Sequence, residues 1–393
     1  MFDGFLRVAA ATPDIRVADC NFNGASAAAL VSEAYEQGVS LLVLPELCLT
    51  GYTCSDLFLQ ESLLDGAGKA LLTLTEATRD KNMVVLAGLP LTVNGVLYNV
   101  TAVLHDGDIL GFVPKSYLPT YSEFYEGRHY HSGADIEADV LFNGRTYPFG
   151  TRLLFRCRQM PAFTLGIEIC EDLWVAQPPS ISHALAGATV IANLSASDET
   201  TGKDIYRRSL VSGQSARLVC GYIYADAGEG ESSTDLVFGA HNLICENGSI
   251  LAESERFSNQ MIMADMDMSK LISERRRMTT WQPKFDNGYR VIDFDLEMHE
   301  VDLRRFIDPH PFVPDDAMDR TRRCEEILTI QAMGLKKRLA HTHCRHAVVG
   351  ISGGLDSTLA LLVTVRAFDM LDMDRSQIMA VTMPCFGTTD RTY

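Results

Sequence analysis

At 393 residues the chain is too long for one ordinary hydrophobic core, so two domains are expected. Apolar residues make up 47% and charged residues 22%, and the formal net charge of −17 argues against nucleic acid or an anionic membrane as the main partner. The ten cysteines contain no C-x-x-C pair, the first ten residues MFDGFLRVAA lack a signal-peptide pattern, and no apolar run is long enough to span a bilayer, so a reduced, cytoplasmic protein is expected.

In chain order, residues 5–11 read as a strand, 23–37 as a helix ended by Gly38, and 41–44 as a strand stopped by Pro45. Residues 65–81 form an amphipathic helix, and 83–89 and 96–104 are strands separated by an Asn94-Gly95 turn. Residues 113–128 are irregular and crowded with aromatics. The strand 163–169 runs straight into Cys170. Helices at 182–187 and 209–218 alternate with strands at 189–194 and 219–225. A hairpin over 236–253 turns at Asn247-Gly248, and a last strand covers 261–265. The order β-α-β-α-β-β, then again, predicts a mixed α/β sandwich of two similar halves. Residues 271–323, basic and then proline-rich and acidic, are expected to be a linker between a domain at 1–270 and a second at 324–393. The second domain opens with a helix carrying Leu328, Ala332, Leu335 and Leu339 on one face, followed by a short buried strand at 347–351.

Three segments carry chemistry. Glu46, in LLVLPELCLTGY, follows a strand and sits among apolar neighbours, where burial raises a carboxyl pKa and suits a general base. Lys115, in GFVPKSYLPTYSEFYEGRHY, is expected to be walled by Tyr117, Tyr121, Phe124 and Tyr125 as a fixed positive charge. Glu126 in the same segment could orient Lys115, hold water or pair with Arg128. Cys170 ends its strand and is followed by Glu171, Asp172 and Trp174. A thiol, a base and a cation together would attack a carbonyl carbon and hold the oxyanion, provided the three strand ends share one rim.

PEL at Glu46, PKSYLP at Lys115 and GIEICEDLW at Cys170 resemble the nitrilase superfamily of carbon–nitrogen hydrolases. The resemblance covers about residues 1–270. It implies a four-layer αββα sandwich with Glu46, Lys115 and Cys170 as catalytic triad. Glu171, where simple amidases often carry tyrosine, together with YSEFYEGR, is similar to the glutaminase domain of glutamine-dependent NAD synthetases. By that likeness Tyr121, Glu171, Ser197 and Lys203 would bind glutamine, with Glu126 supporting. The likeness also implies an internal ammonia tunnel and a homo-oligomer.

Residues 347–358, AVVGISGGLDST, form a glycine loop between a strand and a helix, suited to cradling phosphate on backbone N–H groups and the helix N-terminus. It lacks the lysine of the G-x-x-x-x-G-K-[ST] loop. SGGLDS resembles the loop of ATP pyrophosphatases. That implies ATP bound by Ser352, Gly353, Gly354, Leu355, Asp356, Ser357 and Thr358, with Asp356 holding Mg²⁺. PCFGTTDRT at 384–392 resembles a following loop of the same family. This domain is expected to be the truncated start of a doubly wound parallel α/β nucleotide domain. The expected activity is glutamine hydrolysis at Cys170 supplying ammonia for ATP-dependent amidation of nicotinic acid adenine dinucleotide. A stand-alone amidase with an ATP-binding appendage, and a non-catalytic ATP-binding assembly module, remain alternatives.

Overall fold

The computed structural model describes residues 4–284, 288–314 and 316–383; the expected loop at 384–392 lies outside them. The strands in chain order are β1 (Phe5–Ala11), β2 (Leu41–Val43), β3 (Val84–Val93), β4 (Val96–His105), β5 (Asp108–Pro114), β6 (Glu137–Phe142), β7 (Arg145–Gly150), β8 (Leu153–Cys157), β9 (Thr164–Ile169), β10 (Val190–Ser195), β11 (Gly221–Asp226), β12 (Leu243–Glu246), β13 (Ser249–Glu253), β14 (Met261–Asp267), β15 (Arg290–Phe294), β16 (Ala347–Gly350) and β17 (Ile378–Val381). The helices are α1 (Cys20–Glu36), α2 (Glu61–Ala77), α3 (Pro179–Leu185), α4 (Lys203–Leu218), α5 (Met268–Arg277), α6 (Ala317–Thr342) and α7 (Leu355–Asp369).

Two sheets make the first compact unit. One has the order β14-β1-β2-β3-β4-β5-β7-β6, the other β13-β12-β11-β10-β9-β8-β15. The alternation of strand side chains builds the layers. Leu6, Val8 and Ala10 of β1 join Leu165, Ile167, Val190 and Ala192 in one core between the sheets. Ala9 and Ala11 face the other way, into a core with Ala27 and Val31 of α1 and Ala67 and Leu71 of α2. On the outer face of the second sheet, Ile191 and Tyr222 pack with Ala184 of α3 and Val211 of α4. The result is the expected αββα sandwich.

Several short elements differ from the sequence expectation. Strands β6, β7 and β8 fall where none was expected, and β12 starts only at Leu243. Part of the expected linker is structured. It carries most of α5 and the edge strand β15, which pairs in parallel with β8. The first unit extends to Arg305 and the second begins at Phe306. The last residues of the first unit are anchored on buried carboxylates. Arg305 donates to Glu246 at 2.6 and 2.9 Å, and the Arg304 N–H donates to Asp265 Oδ2 at 2.7 Å.

In the second unit β16 and β17 pair in parallel, with α7 between them in sequence. Ala332 and Leu339 of α6 pack on Val363, Ala367 and Phe368 of α7, with Leu328 and Leu335 alongside. The 347–351 strand, expected to be buried, is not: Val348 is 68% exposed. Among the described residues its sheet has two strands, and Ala347, on the opposite face to Val348, joins the helical core. No helix among the described residues is long and apolar enough to cross a membrane.

Asp265 on β14 accepts Arg7 Nε at 2.7 Å and Nη2 at 3.2 Å, and both side chains are buried. Asp265→Ala would leave the Arg7 guanidinium without its carboxylate in the interior. A loss of about 3–5 kcal/mol is expected in urea unfolding. An unchanged midpoint would contradict this account.

Candidate active site

Glu46 lies just beyond β2, on a turn that presses against β3. A β-carbon at Gly88 would sit 2.3 Å from the Leu47 nitrogen and 2.8 Å from the Glu46 carbonyl carbon, so only glycine allows this approach. Lys115 follows Pro114 at the end of β5, one strand beyond β4. Cys170 follows β9 in the second sheet, at the start of a single helical turn. Carboxylate and ammonium come from one sheet and thiol from the other, all at strand ends.

Glu46 and Lys115 meet directly, and Cys170 lies within electrostatic reach of both. Lys115 Nζ donates to Glu46 Oε1 and to Glu126 Oε1, both at 2.6 Å, with all three side chains buried. Asn99 Nδ2 donates to Glu46 Oε1 at 2.6 Å, and the Ala196 N–H to Glu46 Oε2 at 3.0 Å. The Tyr52 hydroxyl donates to Glu126 Oε1 at 2.8 Å. Burial works against the Lys115 charge, but Glu126 and Glu46 outweigh it and hold the ammonium well above its ordinary range. Burial carries the Glu126 carboxyl up to about 7 despite Lys115. Cys170 is pushed well above the ordinary thiol range, first by burial and then by Glu46, while Lys115 and a hydrogen bond to Ser195 act the other way. The thiol therefore rests protonated, within electrostatic reach of both charges.

One expectation about Lys115 needs correction. Tyr117, Tyr121 and Tyr125 do not wall it in, for they are 42%, 57% and 56% exposed. A buried ammonium needs anionic partners more than ring faces, and two carboxylates take that place. Of the options for Glu126, the Lys115 pair is the one formed. Arg128 instead pairs with Asp56, Nε to Oδ1 at 2.8 Å.

The backbone at Cys170 has φ +43°, a left-handed conformation costing about 1–3 kcal/mol for a residue with a β-carbon. Two buried side chains that the sequence reading did not assign to the site hold this elbow. Asp172 accepts the N–H groups of Ile169 at 3.0 Å, Ser116 at 3.1 Å and Tyr117 at 2.8 Å, tying the elbow to the segment after Lys115. Asn193 bonds the backbone of Cys170 itself. Asn99 and Asn193 were visible as lone polar residues inside apolar strands, a pattern that calls for a buried partner.

Around the elbow lie three of the four residues expected to bind glutamine. The Tyr121 hydroxyl donates to Glu171 Oε1 at 2.8 Å. Lys203 pairs with Asp198, and its ammonium stands 5.3 Å from the Trp174 ring centroid and 6.0 Å from that of Phe124. Ser197 is buried one residue beyond Ala196. Its N–H donates to Asp226 Oδ1 at 2.8 Å and its Oγ accepts Arg207 Nη2 at 3.2 Å. A cavity of about 360 Å³ opens beside Glu126 and Tyr52, bounded also by Phe124, His129 and Leu236.

The glycine loop of the second unit is exposed and caps α7, with Gly353 at φ +79°. Its hydroxyls bond within the loop. Ser357 Oγ and Thr358 Oγ1 each donate to the Gly354 carbonyl at 3.0 Å, and Ser352 Oγ lies 3.3 Å from Ser357 Oγ. Asp356 is the acidic residue of the helix's first turn, and Leu355 is exposed beside it. No cluster of three metal-binding side chains exists among the described residues.

The carbon–nitrogen hydrolase family model matches residues 7–276, and the NAD synthase model matches residues 327–392. The chain is 43% identical to the "Glutamine-dependent NAD(+) synthetase" of Mycobacterium tuberculosis and 42% identical to that of Mycobacterium leprae. Each match covers 99% of this chain but 59% of the relative, so the chain spans little more than half their length. Among solved structures, a glutamine-dependent NAD(+) synthetase from Cytophaga hutchinsonii superposes with TM-score 0.61 at 22% identity, covering 99% of this chain and 62% of that one. A carbon–nitrogen hydrolase from Helicobacter pylori superposes with TM-score 0.56 at 17% identity, covering 71% of this chain and 95% of that one. A buried glutamate–lysine pair set against a cysteine elbow, on an αββα sandwich matched along most of its length, places the chain in the carbon–nitrogen hydrolase family.

Proposed function

We propose that the first unit hydrolyses the side-chain amide of glutamine and that the complete protein uses the ammonia as a glutamine-dependent NAD synthetase. The observation that carries the reading is the Lys115 ammonium bonded to Glu46 and Glu126 beside a protonated Cys170. The Cys170 thiol attacks the amide carbon as its proton passes to Glu46, so no resident thiolate is required. Lys115 and a backbone N–H hold the oxygen as it gains charge. The Cys170 N–H is already bound to Asn193, so a different N–H serves. The tetrahedral intermediate collapses, and the leaving nitrogen takes the proton from Glu46 and departs as ammonia. Water then attacks the glutamyl thioester with Glu46 as base. Glutamate leaves and the thiol is restored. Glu126, fixed by Tyr52, keeps the ammonium aimed.

The rim supports an amino-acid substrate. Glu171 offers an anion for an α-ammonium, and Lys203, held against Trp174, a cation for an α-carboxylate. Ser197 adds a hydroxyl from the adjoining wall.

In the second unit, the loop from Ser352 to Thr358 would hold ATP. Its glycines leave the backbone open, and the fifteen-residue α7 points its N-terminus at the loop. Asp356 supplies one carboxylate, which fits a Mg²⁺ ion that takes its other ligands from phosphate and water. Bound there, the ion would neutralise phosphate charge. The acceptor is proposed to be the nicotinate carboxylate of nicotinic acid adenine dinucleotide, adenylated by ATP and then amidated. The nine described cysteines are all free, which supports a cytoplasmic setting.

Acid quenching of the unaltered chain during turnover should trap a glutamyl adduct on Cys170, seen as a mass increase on that peptide, and Glu46→Gln, which removes the base of both steps, should form little adduct and lose glutamine hydrolysis. Cys170→Ala should form no adduct and lose glutamine hydrolysis. An adduct on another cysteine refutes the assignment, and equal turnover across simple amides favours a general amidase. Because the thiol pKa is raised, alkylation of Cys170 by iodoacetamide should climb with pH throughout 7–9. A plateau below pH 7 would mean a resident thiolate and contradict the mechanism.

A further inference from the structure

The ladder between β9 and β10 ends at the pair Leu194↔Ile169, so its parallel register stops one residue short of Cys170. At Cys170 a side chain replaces the missing strand. Asn193 Oδ1 accepts the Cys170 N–H at 3.1 Å, and Asn193 Nδ2 donates to the Cys170 carbonyl at 3.4 Å. One amide thus bonds both main-chain groups of a single residue, as a neighbouring strand would. That residue is held at φ +43°.

Asn193 is itself immobilised. It is fully buried, and Nδ2 also donates to the Tyr222 hydroxyl at 3.3 Å. Tyr222 in turn donates to Glu168 Oε1. Glu168 Oε2 accepts the Ser180 N–H at 2.8 Å, and the Ser180 hydroxyl accepts Gln214 Nε2 at 3.0 Å. The chain of bonds runs from the elbow through β11 and α3 to α4. Its donors and acceptors fix which way the amide faces, since the Cys170 N–H must meet an oxygen.

We propose that Asn193 is a positioning residue for the nucleophile. Its amide holds the Cys170 backbone in the left-handed turn that presents the sulfur to Glu46 and Lys115. The proposal rests on the reading of Cys170 as nucleophile, and it concerns orientation, not substrate binding. Without the amide, a β-carbon-bearing residue relaxes toward negative φ and carries the sulfur off its line of attack.

The test uses the full chain with Asn193→Ala and Asn193→Asp. Folding is followed by thermal melting, Cys170 alkylation by iodoacetamide peptide mapping, and glutamine hydrolysis by steady-state kinetics. Asn193→Ala should lower both kcat and the alkylation rate by roughly tenfold to a hundredfold, with KM for glutamine within about twofold of the parent. Asn193→Asp carries a second signature. Ionised, it has no donor for the Cys170 carbonyl; protonated, it offers one donor and one acceptor, as the amide does. Its alkylation rate relative to the parent should therefore rise as pH falls from 8 to 5. Folded variants that alkylate at the parent rate, a loss confined to KM, or a flat Asn193→Asp ratio would each overturn the proposal. If Asn193→Ala fails to fold, the pH trend of Asn193→Asp decides. If the parent alkylates at Cys170 but does not turn over glutamine, the glutaminase reading fails while the alkylation comparison still judges Asn193.

Discussion

A buried ammonium constrains everything around it. Lys115 has almost no exposed surface, and an uncompensated charge in that position would cost several kcal/mol. Two carboxylates compensate it. Asn99 and the Ala196 N–H also donate to Glu46, and Tyr52 donates to the same Glu126 oxygen as Lys115, while the buried Glu126 Oε2 has no hydrogen-bond partner among the described residues. Burial first, and then Glu46, keep the neighbouring thiol protonated against the opposing pull of Lys115. The chemistry open to such a site is proton transfer coupled to attack, in contrast to sites that store a thiolate.

The same bonds stitch the two sheets together where the site lies. Glu46 belongs to the first sheet and Ala196 to the second; Asp172 follows the second sheet and receives N–H groups from the end of the first. Polar contacts across the mouth of the sandwich replace the apolar contacts of its middle, where Val8, Leu41, Ile167 and Val190 interdigitate. A strained elbow persists because the elements on both sides over-determine it. The rim of Tyr121, Glu171, Trp174 and Lys203 is more open than the cluster around Lys115.

Legibility in the sequence followed burial. The strands around residues 5–11, 84–93 and 164–169 are buried nearly throughout, and their apolar runs announce them. Strands β6 and β15 lie at sheet edges with mixed exposure, so their composition resembles loop, and β15 sat unrecognised in the expected linker. Glu46, Lys115 and Cys170 stood out because a charged or nucleophilic residue at a strand end invites a chemical explanation. Asn99, Asp172 and Asn193 did not, although they bond the Glu46 carboxylate and the backbone around Cys170. A neutral amide in an apolar strand signals only that some partner exists.

The sequence by itself determined the layered α/β character and the glycine loop before α7, and it singled out Glu46, Lys115 and Cys170 as candidates for one site. Which carboxylate meets Lys115, which amide grips Cys170 and which way the aromatics of the 117–125 segment face were settled by tertiary structure alone. The reason lies in the range of the forces. Periodicity records how each segment partitions between water and core, a property written along a few consecutive residues. Hydrogen bonds and ion pairs in the interior join atoms from strands remote in sequence, and their partners exist only once two sheets have closed on one another.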